Sequence, residues 1–141
     1  MITHCVSALC DVGADTALTW LGDGLNLGKW ALGSLNTVDM GNGIVSGTAI
    51  DSGLRTYSRL TTDPVRGIVI CEVGTDPAAL SPWIWLLVQP AGHLGGDAGQ
   101  SVVTILAWRP GGMDDADWQM VQRQHEVEVL IIKGLLERRT G

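Results

Sequence analysis

Histidine is the scarcest residue here that moves protons near neutral pH. The 141-residue chain has three, His4, His93 and His125, each in a different segment. None belongs to an HExxH motif, and no Cys pair has metal-ligand spacing, so no metal site is expected. Asp114, Asp115 and Asp117 gather carboxylates. A cation-binding DDxxD pattern fails because Trp118 stands at its last position, and the capping of a helix explains the cluster. Cys5, Cys10 and Cys71 are odd in number and lack CxxC spacing. They read as reduced, buried thiols of a cytoplasmic protein. Nucleophilic catalysis has no GxSxG and no Cys paired by position with a His. A Walker loop fails at Asp23–Trp30, DGLNLGKW, where Asp replaces the first Gly and Trp follows Lys29. Gly41, Gly43 and Gly47 are spaced one residue too long for a dinucleotide fingerprint. No cofactor is expected.

General acid–base chemistry needs only one placed proton donor. His125 is the candidate, because it falls between Val121 and Val129 on the apolar stripe of a long helix. It is either a satisfied interior histidine, or a donor to a guest's carbonyl or hydroxyl and a weak catalytic candidate. The six Trp stand beside one Tyr and no Phe. Trp20 and Trp30 read as structural. Trp83 and Trp85 are two apart, so in a regular strand they share a face. With Trp108 and Trp118 they read as an aromatic wall for a flat hydrophobic molecule or else ordinary core, and the expected ligand-binding set adds Val121, His125, Val129 and Tyr57. Arg55, Tyr57 and Arg59 alternate along one strand face. That face is either solvated or a polar lining that neutralises an acidic ligand.

These residues need a scaffold, and periodicity supplies one. Residues 2–10 read as a strand, Ala14–Leu21 as a short helix ended by Gly22-Asp23-Gly24, and Leu25–Leu32 as a second short helix or turn. A meander follows: strands at 34–39, 44–50, 54–60, 68–73, 83–89 and 102–109. It is punctuated by the hairpin signal Met40-Gly41-Asn42-Gly43 and by turns at 51–53, 62–67 and 74–77. From Asp114 to about Arg138 there is no Pro and one Gly. Asp114 is a suitable N-cap, Asp115 and Asp117 sit on the first turn, and Arg138 and Arg139 sit on the last. Trp118, Val121, His125, Val129, Ile132 and Leu136 share a stripe less than about 100° wide. One helix of that length, roughly 38 Å, crosses a whole sheet. The expected fold is therefore α+β, a curved antiparallel sheet of about seven strands around a long C-terminal helix, in one domain over residues 1–141. Met120, Val127, Leu130 and Ile131 lie opposite the stripe. They face either the short helices or a second copy in a homodimer.

That order of elements resembles the SRPBCC superfamily, the START-like or polyketide cyclase/dehydrase group. The stretch GADTALTWLGDGLNLGKW (13–30) is similar to its first-helix pattern, with Leu21, Asp23 and Trp30 at the recurring positions. Thr62–Pro90, with the strand end Val73-Gly74-Thr75-Asp76-Pro77, and the closing IIKGLLERR (131–139) resemble it too. The chain departs in having no Phe and in placing Gly13 where the helix entry has Pro. The resemblance implies a helix-grip fold with a cavity between sheet and C-terminal helix. It fixes a binding mode better than an activity, since carriers, receptors and cyclases share the fold.

Net charge is −6 with a pI near 4.8, and Arg138-Arg139 is the sole basic cluster, so nucleic acid is not an expected partner. The N-terminus lacks the features of a signal peptide, and no apolar run approaches the roughly 18 residues of a membrane span. The favoured reading is binding or carriage of a small hydrophobic or aromatic molecule, with no covalent chemistry. Two alternatives stay open: a cyclase- or dehydratase-like enzyme that uses His125 or an Arg as proton donor, and a homodimeric or partner-binding scaffold without a small ligand.

Overall fold

A computed structural model describes residues 2–140, apart from the side chains of residues 139 and 140. Strand β1 (Thr3–Cys10) leads into helices α1 (Ala14–Leu21) and α2 (Gly24–Leu27). Six strands follow: β2 (Leu35–Gly41), β3 (Ile44–Thr48), β4 (Arg55–Asp63), β5 (Ile68–Gly74), β6 (Ser81–Pro90) and β7 (Ser101–Trp108). Helix α3 (Asp115–Thr140) ends the chain. The strands form one antiparallel sheet in the order β1-β7-β6-β5-β4-β3-β2. The meander reads straight along the chain, and β1 closes against β7 from Thr3↔Trp108 to Cys10↔Ser101.

Local chemistry explains the connections. The β2–β3 turn holds Asn42 (φ 55°) and Gly43 (φ 74°) between paired Gly41 and Ile44. Two successive positive φ values are what a two-residue hairpin of this twist requires. Gly67 also has positive φ (71°), and a side chain there would run into the Val88 carbonyl, while the Val88 amide donates to the Gly67 carbonyl at 2.8 Å. At the start of α3, Asp114 Oδ1 accepts the Asp117 amide at 2.8 Å. This satisfies one of the amides that a helix N-terminus leaves unpaired.

One face of the sheet is apolar because alternate residues point to it. Val103 and Ile105 of β7, Leu86 and Val88 of β6, and Val69 and Cys71 of β5 are buried there with Leu18, Trp20 and Leu21 of α1. The end of α3 lies on the same face, with Val129, Ile132 and Leu136 in the same cluster. Two polar ties hold it to β1: Lys133 Nζ donates to the Leu9 carbonyl at 2.6 Å, and Glu137 Oε2 accepts the Asp11 amide at 2.9 Å. Across the start of the helix, Arg109 Nη2 donates to the Met113 carbonyl at 2.7 Å and pairs with Asp115 at 2.9 Å.

The sheet departs from regularity on β6. Cys71 pairs with Ile84 but Val73 pairs with Ser81, so β6 carries one extra residue at Pro82-Trp83. Proline has no amide to give a ladder, and a bulge is where a strand tolerates it. The expectation that Trp83 and Trp85 share a face fails for this reason. The bulge sends Trp83 to the concave side and leaves Trp85 on the convex side, edge-on to Trp108 with ring centroids 5.2 Å apart. The expectation of three buried thiols fails at Cys5, which is exposed; Cys10 and Cys71 are buried. No helix among the described residues is long and apolar enough to cross a membrane.

Candidate functional site

Between the N-terminal half of α3 and the β4–β6 part of the sheet lies a cavity of about 290 Å³. It exists because the residues facing the helix there are small. Ser58 and Thr56 of β4, Cys71 and Gly74 of β5, and Gly33, Ser34 and Ala49 from the connections line it. Side chains this short leave the helix and the sheet without van der Waals contact across the gap. Larger apolar groups close it: Leu27 and Trp30 from the short-helix side, Trp83 and Ile84 from β6, and Met113 ahead of α3.

Helix α3 contributes Val121, Gln124, His125 and Glu128. These lie on one side because residues three and four apart are neighbours on a helix surface. His125 is 5% exposed and Glu128 4% exposed. Their nearest polar atoms, His125 Nε2 and Glu128 Oε1, are 3.7 Å apart. Glu128 Oε2 accepts the Leu32 amide at 2.7 Å, which pins the segment after α2 to the long helix. Burial pushes the Glu128 carboxyl up to about 8, against the opposing pull of that hydrogen bond. Burial also pushes the His125 imidazole down to about 4, helped by the nearby ring of His4, whose centroid is 6.4 Å away. Each effect disfavours the charged form of a group taken out of water. Near pH 7 the wall therefore carries a neutral imidazole beside a protonated carboxyl. Cys71, fully buried, is held as the thiol with its pKa raised to about 12 by desolvation and then by Glu128.

Among the residues that line the cavity, Trp30 Nε1, Ser34 Oγ, Ser58 Oγ and His125 Nδ1 are buried without a hydrogen-bond partner among the described residues. Among the described residues no three His, Cys, Asp or Glu side chains converge as metal ligands would.

The expected site residues separate. Trp83, Val121 and His125 line the cavity. Trp118 is buried but does not line it, and Val129 belongs to the packed core. Trp85 and Trp108 stack on the convex face. Tyr57 is a correction as well. Its neighbours Thr56 and Ser58 line the cavity, and strand alternation puts Tyr57, Arg55 and Arg59 on the far face, because Ser58 pairs with the buried Val45 and the half-buried Val73. Sequence reasoning missed Glu128 and Trp30. The signal for Glu128 was present, since it sits three residues after a histidine on the apolar stripe and seven after Val121. Trp30 carried none, because its place depends on how the short helices fold back.

No protein-family model and no curated protein matches the sequence. Solved structures do match the fold. The di-domain ARO/CYC BexL from the BE-7585A biosynthetic pathway superposes with a TM-score of 0.74 at 18% identity, covering 100% of this chain and 48% of that one. The chain thus spans about half the length of that protein. The Zhui aromatase/cyclase from Streptomyces sp. R1128 gives 0.67 at 16% identity, covering 99% and 95%. A START superfamily protein from Mycobacterium smegmatis gives 0.69 at 6% identity, covering 99% of each chain. At these identities the likeness speaks for architecture alone. The chain has an SRPBCC-like fold, a START-type helix grip whose curved seven-stranded sheet holds one long C-terminal helix.

Proposed function

We propose that this protein binds and carries a small, largely apolar molecule in the cavity between sheet and α3. One observation carries the reading: a cavity of about 290 Å³ whose wall combines Leu27, Trp30, Trp83 and Ile84 with a few polar residues, Gln124, His125 and Glu128 among them. Binding sites for small molecules have this make-up, an apolar wall with sparse polar points that orient the guest, and this one falls at the small end of the usual range of roughly 300–1,000 Å³. The test is native mass spectrometry of protein purified without added ligand, joined to Trp fluorescence titration with planar hydrophobes. A co-purifying compound, or a saturable change in emission, is the expected result. A broad panel that leaves the emission unchanged would overturn the reading.

A second reading rests on the His125–Glu128 pair. A neutral base and a protonated acid with polar atoms 3.7 Å apart are the parts that proton transfer needs, and two of the similar structures are aromatase/cyclases. In this reading the cavity folds a reactive chain, and His125 and Glu128 exchange protons with it during ring closure or dehydration. Incubation with a short polyketone tests it. Ring closure no faster than in buffer, or equally fast with His125→Ala, removes it.

The outer face of α3 supports assembly into a homodimer. Met120, Val127 and Leu130 are exposed there, whereas Ile131 turns partly into the core. Light scattering is expected to give a particle of twice 15.0 kDa that Leu130→Glu halves. A monomer at micromolar concentration would count against it.

A further inference from the structure

We infer that the cavity takes an uncharged, largely apolar guest and turns carboxylates away. The inference rests on the cavity-binding reading and adds the chemical class of the guest.

The geometry carries it. Among the described residues no Lys or Arg lines the cavity. Arg55 and Arg59 lie on the other face of β4, and Arg109 is occupied by the Met113 carbonyl and by Asp115. A guest carboxylate would be stripped of water with no cation to meet it, and an unpaired buried charge is among the costliest arrangements a protein can hold. The ionisable groups on the wall make matters worse for an anion. Glu128 can only be neutral or negative, and its Oε2 already accepts from Leu32. Burial keeps the carboxyl protonated and His125 uncharged, so neither offers a positive charge.

Three probes of one ring system separate this inference from the reading beneath it: naphthalene, 2-acetylnaphthalene and 2-naphthoate, measured at pH 7 by equilibrium dialysis. Naphthalene and the ketone are each expected to bind at least about tenfold more tightly than the carboxylate, since only the carboxylate must be desolvated as an unpaired ion. Naphthoate binding as well as the ketone, or better, would overturn the inference while leaving the cavity a binding site. So would naphthalene binding while both derivatives fail. If none of the three binds, the cavity-binding reading falls and this inference falls with it.

Discussion

The two halves of α3 carry one continuous stripe and use it differently. In the C-terminal half Val129, Ile132 and Leu136 are 4%, 0% and 0% exposed and belong to the packed core, and Lys133 and Glu137 fasten the helix to β1 and the residue after it. In the N-terminal half Val121, Gln124, His125 and Glu128 face a cavity, because the sheet opposite them offers Ser58, Thr56 and Gly74 rather than leucines. The stripe alone therefore does not decide whether a helix anchors a fold or walls a site. The size of the residues across from it decides. One half contributes stability through dense packing, and the other gives up packing to line a cavity with polar groups.

The largest expected effect tests the anchoring half. Leu136→Ala removes a fully buried side chain and should cost about 2–5 kcal/mol, as such truncations do in tight cores. The affinity of the folded fraction for 2-acetylnaphthalene should be unchanged. Urea denaturation and dialysis below the transition measure the two quantities separately. A loss under about 1 kcal/mol would mean that the site collapses easily and that the contrast between the halves is weaker than drawn.

The cavity half should reveal itself through pH. Glu128 has a folded pKa of about 8 against an ordinary 4.5, so the native state holds this proton more tightly than the unfolded chain. Its contribution to stability is fully present below 4.5 and is lost as pH rises through about 8, a few kcal/mol in all. His125 runs the other way. Its pKa falls from 6.5 to about 4, so its contribution is present above 6.5 and lost as pH falls through about 4. His4, Glu126 and Cys71 surround the pair. Glu128→Gln, which keeps a neutral acceptor for the Leu32 amide, should flatten the decline between pH 6 and 9. A wild-type decline that survives in the variant would assign it elsewhere.

A smaller effect is expected at Ser58. Its hydroxyl is 1% exposed with no partner among the described residues, so Ser58→Val should leave stability unchanged or raise it by about 1 kcal/mol. A stability loss of more than about 1 kcal/mol would show that the hydroxyl already has a partner in the native state.

Much of this was legible in the residues. The helix over Ala14–Leu21, the Asn42-Gly43 turn and the long amphipathic end follow from capping, turn chemistry and a 3.6-residue period, which are local. The stripe also placed His125 inward. Trp83 and Trp85 were misread, because alternation was applied across Pro82, and a residue without an amide breaks the ladder that keeps alternation in step. Tyr57 was placed with the guest as part of a polar lining beside Arg55 and Arg59, with the solvated face as the alternative, because the phase of β4 is set by its partners on β3 and β5 and not by its own residues. Trp30, Ser34 and the cavity itself depend on how the α2 segment folds back over the sheet, a long-range contact that no local pattern encodes.

The tryptophans give the finest test of the contrast between the two faces. Trp85 and Trp108 form an edge-on pair on the convex side, and Trp108 is 36% exposed. Such a pair is worth about 1 kcal/mol beyond the area it buries, so a double-mutant cycle with Trp85→Ala and Trp108→Ala should return a coupling of that size. Neither change should alter affinity for a naphthalene probe, because the sheet separates the pair from the cavity. Trp83→Ala should do the reverse, removing an aromatic wall and weakening the guest by about tenfold while the convex pair keeps its coupling. The bulge at Pro82 makes this outcome possible. Pro82→Val would permit a regular ladder with Trp83 and Trp85 in phase, and the fluorescence response of Trp83 to the guest should then diminish. A response that persists undiminished in Pro82→Val would mean that packing around Trp83, rather than the missing amide, holds the ring in the cavity.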